Sequence, residues 1–323
     1  MMKVATETGQ LRADQFHLNY TLGSGQVFRW GRDVDGWWKG IAYNTVFHLK
    51  QEGDCLFYRS FAEKVQTYAG EMGLIDFLRW YLRLDEIPHI RVPKGDRHLH
   101  KARSLLKGLR FVRQEPFECI ISYILSVQAH MSLTKQRINF IARNKGCPID
   151  FEGERYFAFP DPMALADLDG AFYRKNRFGW RSERVADSAQ FVAEGLDHAI
   201  GLSSVSLETW QEIADALYQR AGSGVGLKVA RCIDLFSLER LHAVPVDTWV
   251  RKFAKDWYGI TGSDAKICAW GEKQWGKWAG YCNEYLFSYY RELHGGSLYD
   301  RVISFDASQE PSAVLPFEKI TAG

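Results

Sequence analysis

The feature that most constrains the fold is a change of hydrophobic period near residue 62. Before it lie short β-branched and aromatic runs, Gly36-Trp37-Trp38-Lys39-Gly40-Ile41-Ala42, Val46-Phe47-His48-Leu49-Lys50 and Cys55-Leu56-Phe57-Tyr58-Arg59. Gly-Asp and Asp-Gly pairs punctuate them, so residues 1 to about 60 read as strands. No helical segment lies between them to carry a parallel crossover, so the sheet is expected to be antiparallel. After it, apolar residues recur at i, i+3, i+4 spacing over 72–82, 118–128, 133–143, 184–194, 208–217, 229–238, 248–257 and 275–293, the helical period. Pro88 and Pro93 bracket a break. The expected class is α+β, mostly α. An N-terminal antiparallel β domain with a linker helix (residues 1–92) packs on a helical domain (93–295). A tail (296–323) rich in Ser, Pro and Gly follows as a surface strap.

Composition excludes several classes. Of the 323 residues, 46% are hydrophobic and 25% charged, an ordinary globular balance. No apolar run approaches the roughly 18 residues of a membrane span, and the first residues lack the apolar stretch of a secretory signal. The expected location is intracellular, in the cytoplasm with the nucleoid, or in the nucleus if the source is a eukaryote. Six scattered cysteines form no C-x-x-C pair, which argues against a zinc ribbon or iron–sulfur cluster and for reduced thiols. No metal and no cofactor is expected. Between Arg91 and Gly146 twelve Lys/Arg face three Asp/Glu. A stretch this basic suits contacts to phosphates, or equally a solvated helix face.

The chemistry concentrates in Ala221-Gly222-Ser223-Gly224-Val225-Gly226-Leu227-Lys228-Val229-Ala230-Arg231-Cys232, between two helical patterns. Gly224 and Gly226 allow a tight turn whose backbone N–H groups, with that of Val225, open the next helix. Such a helix start binds phosphate without side chains. Lys228 falls in its first turn, where the positive helix end disfavours a cation and favours the neutral amine that attacks carbon. An exposed lysine touching a phosphate is the simpler alternative. Nineteen residues on comes Asp247, after an apolar approach and at a helix start. It reads either as an ordinary N-cap or as a carboxylate that helps deprotonate Lys228 and offsets positive charge on a sugar.

These segments resemble the helix-hairpin-helix DNA glycosylases, and further motifs narrow the match. Ser24-Gly25-Gln26-Val27-Phe28-Arg29-Trp30 looks like the S-G-Q-x-F-R-W signature of the 8-oxoguanine DNA glycosylase family. Arg113-Gln114-Glu115-Pro116-Phe117-Glu118-Cys119 resembles its R-Q-D-P-x-E-C helix entry. Ala279-Gly280-Tyr281 and Leu286-Phe287-Ser288 are similar to its last helix. The resemblance runs from about residue 15 to 293. It implies a monomeric base-excision enzyme that acts on double-stranded DNA and flips a damaged purine, 8-oxoguanine, from the duplex. Lys228 falls at the family's nucleophile and Asp247 at its assisting aspartate. The amine displaces the base and forms a Schiff base with the opened sugar, and β-elimination then nicks the strand.

The resemblance also implies a base pocket. Gly25 offers a carbonyl to the N7 hydrogen that 8-oxoguanine has and guanine lacks, and Phe28 follows in the same signature. Phe287 stacks on the base and Cys232 forms the opposite wall. Gln128 fills the gap left in the duplex, and Trp180 and Arg181 contact the estranged strand, since extrusion needs such plugs. Without the resemblance, Gln128 reads as a helix-surface amide, and Phe287 and Trp180 as core. Departures are clear. Asn283 stands where a glutamine reads the base's Watson–Crick edge, one methylene shorter. Trp249 replaces a histidine near the phosphate, and Leu133 an arginine that reads the opposite cytosine. Ser223 replaces the hairpin proline and Gly222 the preceding leucine, which is expected to loosen the hairpin and disfavour a cation there. Two alternatives stay open. One is the same scaffold acting on alkylated or other damaged bases. The other is a non-catalytic module that uses the hairpin only to bind DNA.

Overall fold

The computed structural model describes residues 6–196 and 205–294. The expected tail, 296–323, lies outside the described residues.

Strands β1 (Glu7–Arg12), β2 (Trp30–Arg32), β3 (Trp38–Ala42), β4 (Thr45–Glu52) and β5 (Cys55–Ser60) form one antiparallel sheet in the order β1-β5-β4-β3-β2. Residues 6–60 are not all strand. Leu18–Gly23 is a short helix, α1, capped by the His17 ring, which accepts from the Tyr20 N–H. Its six residues are too short for a period to be legible. The hairpin β6 (Lys64–Thr67) and β7 (Gly70–Gly73) leads into α2 (Leu74–Tyr81). Phe77 of α2 stacks on Phe47 of β4 at 5.2 Å, and the Trp30 indole N–H donates to the Tyr81 hydroxyl at 3.0 Å. That aromatic layer is the core between sheet and helix.

The body then comprises α3 (Arg97–Leu105), α4 (Pro116–Ser126) and α5 (Met131–Lys145). The hairpin β8 (Pro148–Phe151) and β9 (Glu154–Phe157) follows, then α6 (Pro162–Ala166), α7 (Gly170–Lys175), α8 (Ser182–Gly195), α9 (Leu207–Gln219), α10 (Leu227–Ser237), α11 (Thr248–Tyr258), α12 (Asp264–Trp275) and α13 (Ala279–Leu293). The β8–β9 hairpin and α12 had no clear signal in the sequence, and the last helix is split from Trp275 by a 3₁₀ turn at Gly276–Trp278. Helix α4 is the central rod. Pro116 supplies its first turn without wasting an N–H, Glu115 caps the Phe117 and Glu118 N–H groups, and every residue from Cys119 to Leu125 is buried. A helix apolar on all sides is stable only inside a larger body.

Buried ion pairs join the two parts. Arg83, after α2, is fully buried and pairs with Glu239 at 2.6 Å, and Arg113 meets the same carboxylate at 3.1 Å. Gln26 locks the segment before β2 to the body. Its amide donates to Thr21 O and Arg110 O, and its side-chain oxygen accepts from the Val112 N–H. The basic stretch is partly consumed in this way. Arg103, Arg110 and Lys135 donate to backbone carbonyls and Arg113 to carboxylates, so charge counted along the chain overstates what faces a ligand. No described helix is long and apolar enough to cross a membrane.

Candidate active site

Lys228 sits in the first turn of α10, half-buried, with Nζ 5.3 Å from the centroid of the Tyr123 ring of α4. One turn on, the thiol of Cys232 is buried. Burial pushes that thiol up to about 11. Lys228 pulls the other way, and Asp247 adds to the rise. The Cys232 thiol thus lies within electrostatic reach of both Lys228 and Asp247.

Asp247 meets the capping expectation. It caps α11, Oδ1 accepting from the Trp249 and Val250 N–H groups at 2.8 and 2.9 Å. Both bonds use one oxygen, Oδ1. The apolar approach Ala243-Val244-Pro245-Val246 is buried and fixes the entry angle.

The hairpin differs from expectation. Ser223 tightens it. The hydroxyl is buried, donates to Leu217 O at 2.7 Å and accepts from the Val225 N–H at 3.1 Å, while Ser188 donates to the Ser223 carbonyl at 2.8 Å. A side chain able to give and take replaces the rigidity of a proline ring. The same bond corrects the role expected of Val225. Its N–H is used inside the turn and its side chain is buried, so it anchors the hairpin and does not face a phosphate. The N–H groups of Gly224 and Gly226 meet no acceptor among the described residues, and the first turn of α10 has no side-chain cap.

Gly25 adopts φ +94°, which favours glycine, and an added Cβ would lie 2.9 Å from Met131 Cε. The Gln26 carbonyl accepts from the Tyr123 hydroxyl at 3.0 Å, so the signature loop and the ring beneath Lys228 are tied directly. Phe28 is buried in the helical core, edge-on to Tyr123 at 5.4 Å. Tyr123 was missed in the sequence. The available signal was a single phenol within an otherwise aliphatic buried helix.

Gln128 lies past the end of α4, not on it. It is exposed, with φ +49°, in the turn before α5. Arg181 holds that turn by donating to the Val127 carbonyl. Arg181 is itself buried. Burial, with Arg137 and Arg184 nearby, pulls its guanidinium down to about 10. Trp180 is 45% exposed, with the guanidinium groups of Arg181 and Arg184 each 4.3 Å from its ring centroid. It is an exposed, cation-flanked aromatic, not core.

On the other rim, Trp249 is half-buried against Tyr290, with Lys252 over its ring at 4.7 Å. Phe287 is half-buried beneath the Arg291 guanidinium at 5.2 Å. Asn283 is buried, and its amide nitrogen donates to Pro245 O at 3.5 Å. Leu133 is 39% exposed on α5. The described residues gather no three His, Cys, Asp or Glu that could hold a metal.

Comparison with known proteins agrees with this architecture. Residues 10–120 match the family model of the 8-oxoguanine DNA glycosylase N-terminal domain. The chain is 27% identical over 292 residues to the N-glycosylase/DNA lyase of Arabidopsis thaliana, spanning 86% of this chain and 78% of that one. It superposes on the 8-oxoguanine glycosylase/lyase of Clostridium acetobutylicum in its apo form with a TM-score of 0.72 at 27% identity, covering 88% of this chain and 96% of the other. The same enzyme in complex with duplex DNA containing cytosine opposite 8-oxoguanine gives 0.71 at 26% identity, covering 90% and 98%. A signature loop tied to the ring beneath the hairpin lysine and similarity over most of the chain agree: the chain is similar to the 8-oxoguanine DNA glycosylases.

Proposed function

We propose that the chain is a base-excision repair glycosylase and abasic-site lyase that binds duplex DNA as a monomer and removes an extruded 8-oxoguanine. The observation that carries this is the hairpin Lys228 standing 5.3 Å over the Tyr123 ring, whose hydroxyl holds the Gln26 carbonyl of the signature loop. A lysine amine and a carboxylate near one buried thiol serve chemistry at a sugar carbon. A module that only binds DNA has no use for them.

Lys228 is the nucleophile. As its Nζ bonds to the sugar C1′, the bond from C1′ to the base breaks and the electron pair leaves on the base nitrogen. Asp247, already oriented by its capping bonds, offsets positive charge on the sugar and accepts a proton from the amine. Ring opening gives a Schiff base, and loss of the proton at C2′ expels the 3′ phosphate. Gly25 supplies the carbonyl for the N7 hydrogen, Phe287 the stacking ring and Cys232 the facing wall. Gln128 enters the gap in the duplex, with Trp180 and Arg181 against the strand left behind. The N–H groups of Gly224 and Gly226 take a phosphate, and Trp249 with Lys252 lies beside the next one.

The test is borohydride trapping on duplexes carrying 8-oxoguanine, an alkylated purine or an abasic site. The expected result is a covalent adduct with the 8-oxoguanine and abasic duplexes that disappears in Lys228→Gln, while lesion binding persists. Trapping retained in Lys228→Gln refutes the nucleophile. Faster release of the alkylated purine refutes the lesion assignment. Binding with neither release nor adduct makes the chain a non-catalytic module.

A further inference from the structure

Two turns that carry strand-facing side chains each hold a non-glycine residue in the left-handed region, Gln128 at φ +49° and Arg177 at φ +67°. Glycine is the usual residue there, so each turn needs support from its surroundings. An arginine supplies it in both. Arg137 of α5 donates from Nη2 to the Arg177 carbonyl at 3.2 Å and lies over the Phe178 ring at 5.8 Å. Arg181 donates to the carbonyl of Val127, next to Gln128. Arg177 follows the end of α7, and the 3₁₀ turn Gly179–Arg181 that presents Trp180 begins two residues later. Arg137 therefore grips the segment just ahead of the exposed ring.

This grip is costly for the folded protein. Nε and Nη1 of Arg137 and Nε of Arg181 are buried without a hydrogen-bond partner. The charges of Arg137 and Arg184 both bear unfavourably on Arg181, and the Arg181 and Arg184 guanidinium groups share the Trp180 ring. Unpaired buried N–H groups and neighbouring like charges oppose folding, so stability alone does not account for Arg137. A polyanion arriving beside Trp180 offsets the repulsion.

We infer that Arg137 is a positioning residue for duplex opening, which fixes the 177–181 turn so that Trp180 stands ready against the strand opposite the lesion before DNA binds. This rests on the glycosylase reading and adds what holds one of its strand-facing groups in place. Arg137 acts through the Arg177 carbonyl and the Phe178 ring. Extruding a paired base costs about a few kcal/mol, and a wedge already ordered offsets more of that than one ordered on contact.

The test is single-turnover base release by the full chain from two duplexes. One carries 8-oxoguanine opposite cytosine. The other carries it opposite a tetrahydrofuran abasic analogue, where no base pair has to be opened. Borohydride trapping at a preformed abasic site reads the chemistry alone. Arg137→Gln is expected to slow release from the paired duplex by about ten- to a hundredfold. Release from the unpaired duplex and abasic trapping fall by less than about threefold. Trp180→Ala, at an exposed position, gives the same preference, and the double variant falls well short of the product of the two single losses. Arg137→Lys keeps a charge for the carbonyl but loses the planar contact with Phe178. It is expected to show a smaller loss with the same preference, and it carries the test should Arg137→Gln not fold. Equal losses on the two duplexes, multiplied losses in the double variant, or a wild-type paired rate in the folded variants overturns this inference alone. A wild type that neither releases base nor traps overturns the glycosylase reading and this one with it.

Discussion

Arg184 lies across Gly224. A Cβ built on that glycine would stand 2.9 Å from Arg184 Cδ and 3.0 Å from its Cβ, and the same side chain carries its guanidinium over Trp180 at 4.3 Å. The hairpin and the exposed tryptophan are thus one mechanical unit. The hairpin turn can close only where α8 leaves room for it, and α8 positions the ring.

Gly224→Ala tests that unit. The residue needs φ +80°, and the added methyl meets the Arg184 stem rather than its flexible end. The expected cost is about 1–3 kcal/mol in denaturant unfolding. Duplex affinity should fall as well, since both the phosphate-facing turn and Trp180 shift. Unchanged stability and binding would show that the turn relaxes independently of α8.

Asp247 holds a helix end and, in the proposed mechanism, a charge beside the sugar. Substitution separates the two. Asn caps nearly as well as Asp, whereas Ala loses about 1 kcal/mol. Asp247→Asn should therefore keep the wild-type melting temperature while excision drops about a hundredfold or more. Asp247→Ala should lose both. An active Asp247→Asn would leave the carboxylate with its structural role only.

Ser223→Ala removes a hydroxyl that serves both the Leu217 carbonyl and the Val225 N–H. Leaving these unpaired is expected to cost about 1–3 kcal/mol, read by chemical denaturation. A loss below about 0.5 kcal/mol would mean that the hairpin needs no such bridge.

Glu284 makes stability depend on pH. Its folded-state value of about 7 lies above the ordinary 4.5 of a glutamate, and burial is the first cause. A raised value means that the folded state binds the proton more tightly. The stabilisation is complete below about pH 4.5 and is lost as pH rises through about 7. Glu284→Gln cannot ionise. Its stability relative to wild type should improve between pH 5 and pH 8 by about 2 kcal/mol, measured as the difference between paired unfolding curves. A difference that stays constant across that range would show the carboxyl is free to titrate as if exposed.

The period change near residue 62 was enough to separate the five-stranded sheet from the long helices, because alternation and the 3.6-residue repeat are local consequences of which face is buried. The Gly-x-Gly turn, Lys228 in the first turn of a helix and Asp247 at the start of another were legible for the same reason, since caps and turns are written in adjacent residues. Helix α1, the β8–β9 hairpin and α12 were not, because they are short or weakly patterned and owe their form to what packs on them. Only the tertiary structure brought Tyr123 beneath Lys228, Arg184 across Gly224 and Glu284 beside Asp247. It alone turned Ser223 from a loosening substitution into a bridge and took the Val225 N–H out of reach of a phosphate. These relations join residues far apart in the chain. They depend on distances and burial across packed helices, which no local pattern encodes.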